Sequence, residues 1–565
     1  MPGWFFACFH CIHKIILAGV ENIKEKSYNV NNEMSKRKEA GMETFELVIL
    51  ETSDIHGNIL PINYGTNKAA AVGLAKISTL VKTERARQKH VLLLDNGDLI
   101  QGTPLTYYYA RTDSKAPNPM VRAANALQYD AAVPGNHEFN YGQELLMGVV
   151  KESHFPWLSA NILNEQTRKP YFGRPYTMKV FAEGLKVAIL GLTTPYIPNW
   201  EQTQHIRGML FADPVETAKR WVKFLREREQ ADIVIVSYHG GFERDLDSGE
   251  PTEDLTGENQ GYQLCREVPG IDVLLTGHQH RMIAGKAING VTVMQPGNNG
   301  RALGKVVLQL EKQEGHWRCA QKRSELLPVE AAKADPSIIA LARPYEEATQ
   351  AWLDQPIGKI EGDMLVHDPM EARLKDHPLI EFMNRVQMDA AEADISCTAL
   401  FDNQSPGFPE NVTMRDIVSN YIYPNTFKVV RITGMDMKAA LERSASYFKT
   451  DSGGNIEVNP AFSNPKPQHY NYDMWEGIDY VIDISKPVGK RIVKLEYKGK
   501  PIDPAAEYEV VMNNYRAGGG GDYLMFKGKP VVKDVQIDAP ELIANYILER
   551  KVIRATVDHN WKVIF

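Results

Sequence analysis

Five short stretches of this chain place imidazoles, carboxylates and a carboxamide where side chains can meet a ligand. They are Asp54-Ile55-His56-Gly57, Gly97-Asp98, Gly135-Asn136-His137-Glu138, Tyr238-His239-Gly240-Gly241 and Gly277-His278-Gln279-His280. Each follows a run that reads as a buried strand: Phe45 to Glu51, Val91 to Leu94, Asp130 to Val133, Asp232 to Val236 and Ile271 to Leu275. Such aliphatic runs belong to central, largely parallel strands, which sets the polar residues at their C-terminal ends. The Asp-x-His and His-x-His spacings put both side chains on one side of an extended backbone. Pro134-Gly135 ends a ladder just before Asn136 and His137. Singly, each stretch reads as a polar turn or a satisfied loop histidine; together they define a site.

Asp54, Asp98, Asn136, His56, His239, His278 and His280 offer oxygen and imidazole nitrogen and no thiolate. That donor set suits two divalent ions of intermediate softness, such as manganese, zinc, cobalt or iron. Two such ions against two carboxylates leave an excess of about two positive charges, which favours a phosphoryl group and an attacking hydroxide.

The elements that must position these residues follow from length and pattern. At 565 residues the chain is too long for one core, and two domains are expected. Hydrophobic residues make up 43% and charged residues 24%, as in a globular protein. A net charge of -7, from 64 basic and 71 acidic side chains, gives no footprint for a nucleic-acid polymer. A small anionic substrate must then be drawn by a local site. Over residues 44–330, β-rich runs alternate with amphipathic helices such as Ala70 to Lys82 and Pro214 to Arg228, the order of an α/β domain. Further strands are expected at Lys186 to Leu192, Val291 to Met294 and Lys305 to Leu310. Residues 331–355 hold a polar linker helix, Pro336 to Asp354, and residues 356–565 form the second domain. Its opening helix, Pro378 to Glu392, carries Leu379, Phe382, Met383, Val386 and Ala390 as a core-facing stripe. Cys265, Cys319 and Cys397 are scattered and odd in number, so no disulfide framework is expected.

Residues 1–43 read as a disordered or mis-annotated extension outside the fold. Trp4 to Val20 is apolar but interrupted by His10, His13 and Lys14, and lacks the leader of a signal peptide and the length of a membrane span. The Cys8-x-x-Cys11 pair there has no partner pair. The expected location is cytoplasmic, with export or the cell surface as the alternative, no membrane partner, and a monomer or homodimer.

In chain order, Asp-x-His, Gly-Asp, Gly-Asn-His-Glu, His-Gly and Gly-His-x-His resemble the signature of the calcineurin-like metallophosphoesterases. Residues 135–142 (GNHEFNYG), 471–477 (NYDMWEG) and 513–522 (NNYRAGGGGD) resemble the 5'-nucleotidase superfamily. Within it the chain is most similar to the 2',3'-cyclic-nucleotide 2'-phosphodiesterase/3'-nucleotidases, over residues 44–565. The resemblance implies a four-layer α/β/β/α metallophosphoesterase domain followed by an α/β domain that binds the nucleotide. It assigns Asp54, His56, Asp98 and His280 to one ion, and Asp98, Asn136, His239 and His278 to the other, bridged by Asp98. His137 would stabilise the transition state or protonate the leaving oxygen, oriented by Asn140. Tyr472 and Tyr515 would sandwich the base, with Gly519 and Asp522 of the glycine-rich stretch close to the ligand.

Two departures from the wider superfamily stand out. Where 5'-nucleotidases pair the histidine with an Asp three residues on, this chain has Asn140. Where they carry Gly-Gly-x-Arg, it reads Phe401-Asp402-Asn403-Gln404-Ser405-Pro406-Gly407, without the arginine. Both favour a hydrolase of 2',3'-cyclic nucleotides, acting on to the nucleoside, over a 5'-nucleotidase or nucleotide-sugar (UDP-sugar) hydrolase. A noncatalytic nucleotide-binding protein is the remaining alternative.

Overall fold

The computed structural model describes residues 43–565 except 113, 254, 422, 424, 451, 452, 465, 466 and 536. The N-terminal extension over residues 1–42, with Cys8 and Cys11, lies outside the described residues.

Two sheets build the N-terminal half. The first runs in spatial order His316–Pro328, Ala302–Gln313, Thr44–Thr52, Val91–Asp95, Ala131–Ala132, and its last three strands are parallel. The second runs Met282–Ile288, Val291–Pro296, Val273–Thr276, Ile233–His239, Lys186–Thr193, Tyr176–Val180, with its four middle strands parallel.

The period-two pattern of the first strand explains the stacking. Phe45, Leu47 and Ile49 point to the second sheet and share a core with Val187, Ile189, Ile235 and Leu275. Val48 and Leu50 point the other way, against Ile77, Val121 and Ile338 of the helices Leu74–Arg87, Pro119–Leu127 and Pro336–Leu353. On the far face of the second sheet, Val234 and Val236 meet Val215, Val222 and Leu264 of Pro214–Glu227 and Gly261–Glu267. The result is helix, sheet, sheet, helix. Each aliphatic side chain fully buried this way contributes about 1.5–3 kcal/mol, and a one-residue slip would turn every one outward.

The helix Pro336–Leu353 is docked rather than free: Ile338, Ala342 and Leu353 are buried against the N-terminal helices. Asp335 caps it, accepting from the Ser337 N–H at 3.0 Å, and also accepts from Ser78 Oγ at 2.6 Å. Beyond it lies a second core around a five-stranded sheet, ordered Asp473–Glu476, Ile395–Ala399, Glu507–Asn513, Phe427–Thr433, Val531–Val535. Pro378–Ala391 packs here through Leu379, Phe382, Met383 and Val386, while Ala390 is only half-buried. Cys265, Cys319 and Cys397 are free thiols.

Candidate metal centre

The parallel strands of both sheets end at one place. From the first sheet, Thr44–Thr52 delivers Asp54 and His56, Val91–Asp95 delivers Asp98, and Ala131–Ala132 leads to Asn136 and His137. From the second, Ile233–His239 ends on His239 and Val273–Thr276 leads to His278 and His280. The backbone at these residues is not extended, as the Asp-x-His and His-x-His spacing had implied. Asp54, His56, Asp98, His278 and His280 take φ values of 52, 48, 56, 66 and 57°. A left-handed residue folds the chain back at the strand end, and that turn brings the alternate side chains together. Asp and His enter this region more readily than most residues, at a cost of about 1–3 kcal/mol each that the surrounding core must over-determine.

The structure brings Asp54, His56 and His280 into one group and Asp98, His239 and His278 into another, donor atoms within 4.8 Å in each. His56 Nε2 lies 3.0 Å from His280 Nε2, and His280 Nε2 lies 3.4 Å from Asp54 Oδ1. Asn136 Oδ1 sits 3.1 Å from His239 Nε2 and 2.8 Å from His278 Nδ1. Asp98 Oδ2 lies between the groups, 3.9 Å from His56 Nε2 and 3.3 Å from His239 Nε2. Donors around an ion with bonds of about 2.0–2.2 Å stand about 3.0–3.5 Å apart, so these spacings fit divalent cations.

Outer partners aim the donors. His56 Nδ1 lies 3.1 Å from the Gln101 carbonyl and His239 Nδ1 lies 2.7 Å from the Asn96 carbonyl, so both can donate there and turn Nε2 inward. His278 is held the other way round, with Nε2 2.8 Å from Glu258 Oε1 and its ring stacked on Trp200 at 5.4 Å. Glu138, fully buried, accepts from the N–H groups of Asp98 (2.8 Å), Leu99 (2.7 Å) and Gly135 (2.5 Å), tying two ligand-bearing loops together. Burial favours neutral His239, but Asp98 and then Asp54 outweigh it and raise its pKa to about 10. Asp54 and Asp98 feel burial as a raising effect, and the facing imidazoles still hold both below the usual carboxylate range.

His137 borders the first group, its ring 5.2 Å from that of His56 and its N–H donating to Asp98 Oδ1 at 2.8 Å. Behind it runs a chain of hydrogen bonds. Asn140 Nδ2 donates to Glu201 Oε2 at 2.7 Å, and His205 Nδ1 donates to Glu201 Oε1 at 2.8 Å. Asn140 therefore turns its carbonyl oxygen to His137, whose Nδ1 donates to it at 2.7 Å.

The second domain reaches this centre through residues 513–522. Asn514 Nδ2 donates to the Trp200 carbonyl at 2.8 Å, and Lys527 Nζ donates to Tyr196 Oη at 2.9 Å. Gly518 approaches Asn199 so closely that a Cβ would lie 2.2 Å from its carbonyl oxygen. Tyr515 lies flat over Gly520 and meets Tyr470 edge-on, ring centres 6.3 Å apart at 74°. Burial raises both phenol pKa values, helped at Tyr470 by the charge of Glu258 and at Tyr515 by Tyr470 and then Glu258.

Tyr472 is not there. It is 0% exposed, packed on Tyr447 and Phe448, and its hydroxyl donates to the Arg373 carbonyl at 2.8 Å, so no ring face is left for a base. The turn His469–Asn471 leaves Tyr470 half-buried at the edge of the core and commits Tyr472 to its interior at the start of Asp473–Glu476. Gly519 faces Lys527 rather than a cleft, and Asp522 is paired with Arg443 at 2.9 Å. Glu138 lay inside a recognised motif, yet its clamp depends on contacts 38–40 residues away. Glu201, Glu258, Trp200 and Tyr470 sit in turns with no periodic signal.

Among the described residues no helix is long and apolar enough to cross a membrane. Residues 47–282 match the calcineurin-like phosphoesterase family and residues 356–528 the 5'-nucleotidase C-terminal domain. The chain is 32% identical to a 2',3'-cyclic-nucleotide 2'-phosphodiesterase/3'-nucleotidase of Salmonella typhimurium, covering 84% of this chain and 82% of that one. It is 30% identical to the trifunctional nucleotide phosphoesterase protein YfkN of Bacillus subtilis over 93% of this chain, and spans 39% of that longer protein. A crystal structure of a putative 5'-nucleotidase from Staphylococcus aureus in complex with alpha-ketoglutarate superposes with a TM-score of 0.83 at 36% identity, over 92% of this chain and 100% of that one. A metal-ligand cluster at the ends of two stacked sheets, and relatives that share the whole two-domain length, lead to one assignment: the chain belongs to the calcineurin-like phosphoesterases that carry a 5'-nucleotidase C-terminal domain, and is a metal-dependent phosphoric ester hydrolase.

Proposed function

We propose that the enzyme opens 2',3'-cyclic nucleotides to 3'-nucleotides and then releases the nucleoside, using two divalent ions. Asp54, His56, Asp98 and His280 would hold one ion, and Asp98, Asn136, His239 and His278 the other. When bound, such ions supply positive charge to phosphoryl oxygens and Lewis acidity toward water. The observation that carries the reading is the aromatic pair of Tyr470 and Tyr515, which the bond of the adjoining Asn514 to Trp200, the residue stacked on His278, brings to the second group. A base stacked on Tyr515 gains about 1–3 kcal/mol whatever its identity, and its ribose phosphate then falls toward Asp98 and Asn136.

His137 borders that space with Nδ1 committed to Asn140, leaving Nε2 to donate to the oxygen that departs. Asn140 and Glu201 are positioning residues that fix this tautomer. The related names also fit a 5'-nucleotidase or UDP-sugar hydrolase. Against it, residues 401–407 lack the substrate-gripping arginine, and the nearby guanidinium of Arg373 is buried, donating to Asn403 Oδ1 at 2.8 Å and the Leu400 carbonyl at 2.9 Å. Manganese-supplemented assays on 2',3'-cyclic AMP, 3'-AMP, 5'-AMP and UDP-glucose test the proposal. The first two should be turned over at least about tenfold faster in kcat/KM; preference for 5'-AMP or UDP-glucose overturns it, and binding of adenosine without hydrolysis of any would return the noncatalytic reading. Cytoplasmic location, argued from residues outside the described ones, is tested by cell fractionation.

A further inference from the structure

Away from this centre, the C-terminal domain gathers four carboxylates that the reaction does not use. Asp376 precedes the helix Pro378–Ala391, Glu381 lies in its first turn, Glu476 ends the strand Asp473–Glu476, and Asp558 lies between Val552–Arg554 and Trp561–Ile564. Oxygens of Asp376, Glu381 and Asp558 come within 4.8 Å of one another. Asp376, Glu381 and Glu476 are only 6%, 1% and 6% exposed, whereas Asp558 is exposed and closes the group on the solvent side.

The group is incompletely satisfied from within. Glu381 accepts from Thr556 Oγ1 at 3.1 Å and from the Asp558 N–H at 2.9 Å, and Arg385 pairs with it from the outer face of the helix. Asp376 Oδ2 accepts from the His559 N–H at 3.0 Å. Asp376 Oδ1, equally buried, has no hydrogen-bond partner among the described residues. A buried carboxylate oxygen without a partner is costly, and its presence here points to a ligand that completes it. Glu476 lies outside this 4.8 Å group; burial first, then the charges of Asp558 and Glu381, push its pKa up to about 8.

We propose that Asp376, Glu381 and Asp558 bind a hard divalent cation of the calcium class, distinct from the phosphoesterase centre. The donors are all oxygen, with no imidazole nitrogen or thiolate among them, in contrast to the histidine-rich centre, and oxygen-only sites select calcium or magnesium. An irregular set of carboxylates drawn from a helix, the residue just before it and a loop suits calcium, which tolerates uneven geometry, better than magnesium. The cation would pin residues 556–560 to the start of the helix.

The test uses full-length, manganese-loaded enzyme with calcium chloride as the probe. Wild-type protein should bind one calcium per chain in equilibrium dialysis, and its Tm should climb with millimolar calcium as expected for a ligand that binds only the folded state. Hydrolysis of bis-p-nitrophenyl phosphate should not change. Asp558→Asn, at an exposed position where the amide oxygen can keep the bond from the Asn560 N–H, should weaken calcium binding at least about tenfold and remove the rise in Tm; Asp376→Asn should do the same. Absence of calcium binding by wild-type protein overturns the proposal, and so does equal binding by Asp558→Asn. If Asp376→Asn fails to fold, the dialysis of Asp558→Asn decides.

Discussion

Replacing Glu201 by Gln should impair the enzyme without touching metal or substrate. Glu201 is 8% exposed and uses both oxygens, one for Asn140 Nδ2 and one for His205 Nδ1 and the Gln202 N–H. A glutamine keeps one oxygen. With that oxygen on His205 and Gln202, its NH2 faces the NH2 of Asn140, and Asn140 must turn over. Its own NH2 then points at His137 Nδ1, which has to become an acceptor, and the doubly protonated ring loses its partner. A hydrogen bond to a charged group contributes about 1.5–3 kcal/mol, so kcat on 3'-AMP should fall about 10- to 150-fold. KM and bound metal should stay within about twofold. p-Nitrophenolate departs without a proton, so hydrolysis of bis-p-nitrophenyl phosphate should fall far less. The double variant Asn140→Asp/Glu201→Gln restores a carboxylate beside Nδ1 with an amide behind it, and should recover most of the loss. Steady-state kinetics on both substrates, with metal analysis of each preparation, is the assay. A loss shared equally by the two substrates, or no rescue in the double variant, refutes the role given to His137 and its support.

Asp98→Asn should lower turnover and bound metal more than His280→Ala, because Asp98 stands between both groups; full activity in metal-replete Asp98→Asn would remove it from the centre. Tyr470→Ala and Tyr515→Ala should each raise KM for nucleotides about tenfold while sparing bis-p-nitrophenyl phosphate, whereas Tyr472→Phe should leave KM alone and cost about 1 kcal/mol in urea unfolding through its lost bond to Arg373. His239, with a pKa of about 10 in the metal-free protein, must shed its proton to bind an ion, so metal affinity should drop about tenfold for each pH unit lowered below neutrality, and calorimetry in buffers of differing ionisation enthalpy should record at least about one proton released. Glu476 has its pKa raised from 4.5 to about 8 on folding, so the folded state binds the extra proton and calcium-free stability is lost as pH rises through that window; Glu476→Gln should flatten the slope of Tm against pH there.

The metal centre was legible because its residues are rare in buried strand ends and come in fixed local patterns, which survive without knowledge of distant contacts. The four-layer order was legible for the same reason, since each strand's alternation marks two buried faces. Positioning groups were not. Glu201 stands 61 residues from Asn140 and Glu258 20 from His278, in turns whose composition says nothing of their partners. Tyr470 and Tyr472 are chemically alike and two residues apart, and only a short turn decides which of them meets Tyr515 and which is fully buried. The helix expected from Ala70 starts at Leu74, because Lys68–Ala69 pairs with Ile62–Asn63 and Gly73, at φ 96°, stands outside the helical region.

Four of the candidate ligands, Asp54, His56, Asp98 and Asn136, come from the first sheet and three, His239, His278 and His280, from the second. Neither sheet alone supplies the full set of four donors for either ion, and the left-handed turns that aim them depend on the core between the sheets. Ions therefore cannot nucleate this domain as zinc does a zinc finger; capture has to be a late event, after long-range strand pairing, which is the slow kind. Once bound, an ion acts as a rivet across the sandwich, and its main mechanical effect is to slow the parting of the sheets. Two fragments cut in the exposed turn around Gly184, each carrying one part of the ligand set, would regain phosphoesterase activity only on reassembly, and since Thr44–Thr52 pairs with Ala302–Gln313 across that cut, turnover itself would report strand pairing and sheet docking together.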